Sequence, residues 1–242
     1  TTGKLTATID VTETVTELAT LSADGGTNDL TVVIRSDDAT AATALQLNTI
    51  NDATAVAVDL TNVTALAASS LSDLGTLATA ITNNEFDNDT GITTIAVSDN
   101  TIDATTLAAR IDSFDTINGG STTGMTLVSG ATINVDADEV DHLLADETAN
   151  RLTISDQKIT VTNAITVDNA NLLGATTTGV VTATINTSET VTELATLSAD
   201  GGTNALTVVI RGADATAATP TQLNTINGAT SVAVDASAVT GL

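Results

Sequence analysis

The chain has 242 residues, and 30 acidic side chains against 6 basic ones give it a formal net charge of −24 at pH 7. This surplus of carboxylates argues against nucleic acid and anionic membranes as partners, because phosphate groups are bound by lysine and arginine. The chain has no cysteine, which excludes disulfides and thiolate metal sites, and only 1% aromatic residues, so its core must consist of small aliphatic side chains.

The chain opens with a short strand-like segment and a short helix-like segment. The alternating, β-branched run "LTATI" at 5–9 predicts a strand. Residues 14–21 then place Thr14 three positions before Glu17, followed by two leucines, which predicts a short helix with a capping box. The same order predicts further helices at 43–50, 70–77, 190–197 and 219–226, and a weaker version begins at Asp168.

Strand-like runs recur along the rest of the chain and are separated by Gly, Asn and Asp. Several of them start 25 residues apart, as at positions 5, 30 and 55 and again at 181, 206 and 231. A strand, a short helix and their joints in about 25 residues match one coil of a solenoid. The predicted strands are 30–34, 55–59, 92–97, 131–136, 151–155, 158–162, 181–185, 206–210 and 231–235.

The fold class that these elements predict is an α/β or mostly β solenoid, with parallel strands stacked in coils and short helices on one side. We expect residues 1–242 to form a single elongated solenoid, in which 67–180 are less regular coils. A globular α/β fold made by duplication is the alternative. The two open ends of a solenoid expose edge strands, and exposed edge strands tend to pair, so end-to-end stacking is also expected.

A long internal repeat supports this interpretation. Residues 5–66 align without gaps with residues 181–242 at an offset of 176, and roughly three-quarters of the positions are identical. We call these segments copy 1 and copy 2. More copies are expected in a longer protein.

The chain's only proline lies at the start of a predicted helix in copy 2. Pro220 follows the predicted cap Thr219, where the missing N–H of proline removes no intrahelical bond. Gly228 is predicted to end that helix in the left-handed conformation.

Carboxylates are the main candidates for a site. The runs "DNDTG" and "DADEVD" suggest calcium, with candidate ligands Asp87, Asp89, Asp136, Asp138 and Asp141. Neither run fits the helix-loop-helix calcium loop, since Gly91 stands where a third oxygen ligand is required. Solvated coil corners are the alternative, so no cofactor is required and calcium is the one that the sequence suggests.

The sequence gives little support for a catalytic site. The single histidine, His142, is predicted to lie on the surface of an acidic helix at 138–146 that buries Val140 and Leu144, with no partners for a triad or a histidine metal site. Arg35 and its counterpart Arg211 are predicted to pair with nearby carboxylates.

The phrase "AATPTQLNTINGATSVAVDASAVTGL" resembles units of very large, repetitive extracellular and cell-surface proteins of marine and cyanobacterial bacteria. The resemblance covers 30–66 and 206–242. It implies secretion, surface display and a structural, adhesive or motility-linked role, and it does not imply catalysis.

The function expected from the sequence is a non-enzymatic structural segment of a secreted bacterial filament, sheath, layer or large adhesin. Its expected partners are copies of itself, without nucleic acid and without membrane insertion. A calcium- or glycan-binding adhesion module is the alternative.

Overall fold

The computed structural model describes residues 3–22, 27–198 and 203–241. It is an α/β fold of short helices and parallel strands, which confirms the α/β class. The helices are α1 (Val15–Leu18), α2 (Ala44–Asp52), α3 (Leu71–Thr82), α4 (Ala104–Ile117), α5 (Val140–Thr148), α6 (Val167–Thr176), α7 (Val191–Leu194) and α8 (Pro220–Gly228).

The strands are short, and each pairing between them is parallel. They are β1 (Thr6–Thr8), β2 (Asp29–Thr31), β3 (Val58–Asp59), β4 (Ala65–Ser69), β5 (Phe86–Asp87), β6 (Thr94–Val97), β7 (Thr101–Asp103), β8 (Gly124–Leu127), β9 (Thr132–Asp136), β10 (Leu152–Thr153), β11 (Lys158–Ile165), β12 (Val181–Ile185) and β13 (Ala205–Thr207).

The capping boxes predicted for the helices of the two copies are confirmed. At α1, the Thr14 hydroxyl accepts from the Glu17 N–H at 3.1 Å, and the Glu17 carboxylate accepts from the Thr14 N–H at 2.8 Å. These two bonds satisfy backbone donors that a helix start leaves unpaired. The same reciprocal pair forms at α2, α7 and α8.

Two predictions about helix ends are wrong. Gly228 is the last residue of α8 and does not have a positive φ, and the residue that caps the helix is Ala229, with φ −90° and ψ −4° in the right-handed region. Helix α6 is capped by Thr166, two residues before the expected Asp168. Pro220 does occupy the first helical position of α8, as predicted.

The chain forms two compact units. The first contains the described residues up to Asp99 together with Thr106–Val128 and Ala149–Thr153. It holds the pairs β1–β2 and β3–β5 and a four-stranded sheet in the order β10–β8–β6–β4. A row of buried side chains runs across that sheet, formed by Leu66, Ile95, Met125 and Leu152.

The second unit contains Asn100–Thr105, Ser129–Thr148 and the described residues from Ile154 onward. Its five-stranded sheet has the order β13–β12–β11–β9–β7. Ile102, Ile133, Ile159 and Val181 face one another across four of these strands, and each is fully buried. Burying aliphatic rows of this kind is the main stabilisation that a chain with almost no aromatic residues can obtain.

The less regular middle of the chain contains elements that the sequence patterns did not predict. These are α4 and the strands β4, β5, β7 and β8. Conversely, the strand predicted at 231–235 is reduced to one bridge between Val209 and Asp235. None of the helices in the described ranges combines the length and the apolar character that crossing a bilayer requires.

Candidate functional site

A nearly buried carboxylate joins two consecutive segments of copy 1. Asp38 is 7% exposed, and its Oδ2 accepts from the backbone N–H of Val15 at 2.8 Å and from Nε of Arg35 at 3.0 Å. Nη1 of Arg35 in turn donates to the carbonyl oxygen of Thr12 at 3.1 Å. We call this arrangement the Asp–Arg node. It confirms that Arg35 pairs with a nearby carboxylate.

Copy 2 contains the same node. Oδ2 of Asp214 accepts from the Val191 N–H at 3.0 Å and from Nε of Arg211 at 2.8 Å, while Nη1 of Arg211 donates to Ser188 O at 2.7 Å. The hydrogen bond from Arg211, aided by the Val191 N–H, outweighs desolvation and holds the pKa of Asp214 below its ordinary value. The node therefore favours the charged form of this carboxylate.

The node is one case of a wider pattern at the helix starts. The N-cap side chain satisfies the N–H of the second or third helical residue, so the first N–H needs another acceptor. In five helices that acceptor is a side-chain oxygen 22 to 28 residues farther along the chain. The bonds are Val15 to Asp38 (2.8 Å), Ala44 to Ser69 (2.9 Å), Leu71 to Asp99 (2.7 Å), Val167 to Glu189 (3.4 Å) and Val191 to Asp214 (3.0 Å).

Buried threonines make a second contact of this type. In copy 1 the Thr54 hydroxyl accepts from the Leu30 N–H at 3.0 Å and donates to the Leu30 carbonyl at 2.8 Å. In copy 2 Thr230 makes the same two bonds to Leu206, at 2.9 and 2.8 Å. Each hydroxyl thus takes the place of a backbone pairing partner for the neighbouring strand.

Carboxylates at strand exits form local turns. Burial alone would raise the pKa of Asp59. Hydrogen bonds from Thr61 and Asn88 outweigh this effect, so the pKa lies below its ordinary value. The N–H of Thr61 donates to Asp59 at 2.8 Å and that of Ser237 donates to Asp235 at 2.9 Å. These bonds are the local turns that Asp makes with the residue two positions ahead.

The calcium candidates near residue 88 lie on either side of a left-handed residue. Asp87 ends β5, Asn88 has φ 58°, and Asp89 begins a single 3₁₀ turn. Burial, together with the negative charge of Asp87, raises the pKa of Asp89 despite a backbone hydrogen bond.

The three other predicted calcium ligands lie in different environments. Oδ1 of Asp136 accepts from the Asp138 N–H at 3.2 Å, and Oδ2 accepts from Thr162 at 3.0 Å and Asn163 at 2.7 Å, which keeps its pKa low. The side chains of Asp138 and Asp141 are exposed. Across residues 3–22, 27–198 and 203–241, no three acidic or histidine side chains come close enough together to hold a metal ion.

His142 lies on the exposed side of α5, as predicted. Its side chain is 53% exposed, and Nε2 is 4.0 Å from a carboxylate oxygen of the buried Asp146. Helix α5 buries Val140 as expected, but the second inward leucine is Leu143 and not Leu144.

A groove in the first unit was not apparent from the sequence. It has a volume of about 630 Å³ and lies between α3 and the later turns of α4. The guanidinium of Arg110 packs against Gly75 so closely that a Cβ there would lie 2.6 Å from it. Nε of Arg110 donates to Leu71 O at 3.2 Å, and Arg110 makes no ion pair with any described residue. Thr79, Asn83 and Ser113 add neutral polar atoms to the groove, and Asp89 and Asp112 add carboxylates.

Comparison with known proteins gives no further identification: no family model, no curated protein and no solved structure matches the chain.

Removal of the Asp38 carboxylate should destabilise the protein. The substitution Asp38→Ala leaves the buried N–H of Val15 without an acceptor and Arg35 without its partner, so we expect the free energy of unfolding to fall by about 1–3 kcal/mol. Urea unfolding followed by far-UV circular dichroism measures this change, since the chain has no Trp or Tyr.

The neighbouring Asp37 provides a matched control. It is exposed, and copy 2 has Ala213 at the same place, so Asp37→Ala should change the free energy of unfolding by less than about 0.5 kcal/mol. Equal effects of the two substitutions would show that the node does not stabilise the fold.

The capping box at α7 should make stability depend on pH. The N–H and the hydroxyl of Thr190 hold the pKa of Glu193 below its ordinary value of 4.5. A lowered pKa contributes stability that is present above pH 4.5 and is lost as the pH falls through the folded-state value. The variant Glu193→Gln has the same pair of residue types as the capping box of Thr43 and Gln46. Because glutamine does not titrate, this variant should not lose stability in that way as the pH falls.

Unfolding in urea at a series of pH values from 6 to 3 tests this. The difference in stability between the wild type and Glu193→Gln should shrink as the pH falls. Asp37→Asn controls for the removal of one negative charge. A difference that stays constant with pH would contradict the assignment.

Proposed function

We propose that the chain is a non-enzymatic structural repeat segment of a secreted bacterial surface filament, sheath, layer or large adhesin. It acts through stacked coils and through association with copies of itself. The observation that carries the proposal is the recurrence of the Asp–Arg node at Asp38 and Asp214. A contact that joins consecutive segments, and is kept in both copies, is what a protein built by repetition of one unit requires.

The proposed architecture is a solenoid with short helices on one side. Its support is the spacing of parallel partners: Thr6 pairs with Asp29, Lys158 with Thr132 and Thr101 with Thr132. These partners lie 23, 26 and 31 positions apart, within the length of one solenoid repeat. The bonds from five helix starts to the following segment span 22 to 28 positions and run in one direction along the chain.

The use of the carboxylates supports a structural role. In both copies, acidic side chains accept from helix starts or from turn residues, as at Asp38 and Asp59. A strongly negative surface also keeps a repetitive chain dispersed until it is screened or assembled. Secretion and surface display are part of the proposal and agree with the resemblance found in the sequence.

Electron microscopy of the full chain tests the proposal. We expect fibres or sheets, and aligned fibres should diffract at about 4.8 Å along the axis, which is the spacing of stacked parallel strands. Solution scattering should show a mass that grows with concentration. A particle that remains strictly monomeric at every concentration and salt level would contradict the proposal.

A calcium- or glycan-binding adhesion module is the second candidate function. The groove favours it, because the guanidinium of Arg110 has no carboxylate partner among the described residues of a chain with 30 acidic side chains. The negative charge of Asp87 contributes to the raised pKa of Asp89, and a cation at that loop would offset it. Guanidinium groups bind carboxylates well, which makes an acidic sugar the suitable glycan.

Thermal melts distinguish these ligands. A ligand that binds only the folded chain raises the melting temperature. Calcium should do so in a manner that EDTA reverses and that Asp87→Asn with Asp89→Asn removes. A galacturonic acid oligosaccharide should do so unless Arg110 is replaced by Gln, with Lys158→Gln as the control. Melting curves that neither ligand shifts would rule out this candidate.

A further inference from the structure

Helix α3 differs from α2 and α6 at one equivalent position, the fifth residue after the N-cap. In α2 and α6 this residue is an asparagine, whose side-chain amide donates to a backbone carbonyl in the next helical segment. The two bonds run from Asn48 to Asp73 O and from Asn171 to Thr196 O, each at 3.0 Å. In α3 the residue at this position is Gly75, which has no side chain to make such a bond.

The space beside Gly75 is filled by Arg110, which comes from the next helix along the chain. A Cβ at position 75 would lie 2.6 Å from both Cζ and Nη2 of Arg110, so the guanidinium occupies the place that a side chain would need. Nε of Arg110 donates to Leu71 O at 3.2 Å and so links α4 to the start of α3. Because glycine in a helix interior is less stable than alanine, the gain from Gly75 is this close approach.

Most of the hydrogen-bonding capacity of the guanidinium remains unused. Of its five N–H donors, Nε supplies one, and neither Nη atom donates to an acceptor in the part of the chain that the structure describes. The carboxylate of Glu85 lines the adjoining part of the groove, but it already accepts from Asn51 at 2.6 Å and from Asn83 at 3.3 Å. The Nη edge of Arg110 is therefore open to the two oxygens of a ligand carboxylate.

The other polar side chains of the groove mainly offer acceptors. Four hydroxyl groups each donate their single hydrogen to the carbonyl four residues earlier in their own helix, so toward a ligand their oxygens can only accept. These bonds are Thr79 to Gly75 O (2.9 Å), Thr82 to Ala78 O (2.8 Å), Ser113 to Ala109 O (2.7 Å) and Thr116 to Asp112 O (2.8 Å). Asp89 and Asp112 add carboxylates, and Asn83 and Asn84 are the lining side chains besides Arg110 that carry N–H groups.

We infer that the groove binds a short sugar with a single carboxylate, namely a uronic acid linked to a neutral sugar. The carboxylate binds the Nη edge of Arg110, and the hydroxyl groups of the two rings donate to the oxygens of Thr79, Ser113 and their neighbours. This inference rests on the glycan-binding candidate function given above, and it specifies which acidic sugar the groove accepts.

The charges of the groove limit the ligand to one carboxylate. A second carboxylate would lie close to Asp89 or Asp112 and would be repelled by them. The length of the groove suits a disaccharide, because α3 from Gly75 to Thr82 measures about 10 Å along its axis.

A peptide suits the groove less well than a sugar. Each peptide carbonyl needs a donor, and the groove offers few donors besides Arg110, so carbonyl groups would be left unsatisfied at a cost in binding. A sugar hydroxyl can donate to each of the acceptors that line the groove.

Calorimetric titration of the full chain with three disaccharides of the same linkage tests the inference. They are cellobiose, cellobiouronic acid, in which one glucose is replaced by glucuronic acid, and diglucuronic acid. These ligands carry no carboxylate, one carboxylate and two carboxylates. We expect cellobiouronic acid to bind most tightly and each of the others to bind about tenfold more weakly or worse, because one lacks the charged acceptor and the other adds a repelled charge.

Three variants locate the binding. Arg110→Gln should bind cellobiose and cellobiouronic acid equally, whereas Lys158→Gln, which removes one positive charge from an exposed position on β11, should keep the preference of the wild type. Gly75→Ala should also lose the preference, because the added Cβ displaces the guanidinium. Its stability in urea should not fall, since alanine favours a helix more than glycine does, and this separates the positioning of Arg110 from a role in folding.

Several results would overturn the inference while the glycan-binding candidate stands. They are a preference for diglucuronic acid, equal binding of the three disaccharides, or an Arg110→Gln variant that keeps the preference of the wild type. Tighter binding of acetyl-glycylglycine, a peptide with one carboxylate, would overturn it in favour of a peptide ligand.

If none of the disaccharides binds, the inference fails. The glycan-binding candidate fails with it if the galacturonic acid oligosaccharide also leaves the melting temperature unchanged. The structural function proposed for the whole chain depends on neither result.

Discussion

The structure depends on one hydrogen bond that is repeated along the chain, from the first N–H of a short helix to a side-chain oxygen in the following segment. Helices of four to fourteen residues, such as α1 and α4, are marginal in isolation. A local cap satisfies only part of what each helix start leaves open. In five helices the remaining acceptor comes from a segment 22 to 28 residues later, so these helix starts are complete only when the neighbouring segment is in place.

Helix α8 shows one way in which this constraint can be removed. Pro220 stands where copy 1 has Ala44, whose N–H donates to the hydroxyl of Ser69. Proline has no N–H, so α8 requires no such acceptor from a neighbour. The local capping box at Thr219 is unchanged. The substitution therefore separates the local requirement of a helix start from the requirement that links it to the next segment.

The sequence predicted what depends on near neighbours and missed what depends on distant ones. The capping boxes, Pro220 and most strands of the two copies follow from residues within five positions of one another. The acceptor for Val15 could not be predicted, because it lies 23 residues away. The equivalent acceptor is also an aspartate in two other helices, but it is a serine in a fourth helix and a glutamate in a fifth. The C-terminus of α8 was misjudged because Gly228 is also compatible with an ordinary helical turn. In 67–180 no second copy was available to separate a repeated residue from an incidental one.

The acidity of the chain follows from the same constraint. Short helices and short strands have many ends, and each end leaves backbone N–H groups that need acceptors. A carboxylate accepts without donating, so it suits a helix start, as at Asp38, and a strand exit, as at Asp235. A charged acceptor also makes a stronger bond than a neutral one. Where the acceptor faces solvent, a neutral side chain can replace the carboxylate. Asp10 in copy 1 and Asn186 in copy 2 are equivalent, and each accepts from the backbone N–H two positions ahead. Part of the negative charge thus arises from the way the ends of the elements are satisfied, and any larger assembly of this chain has to form against the total charge.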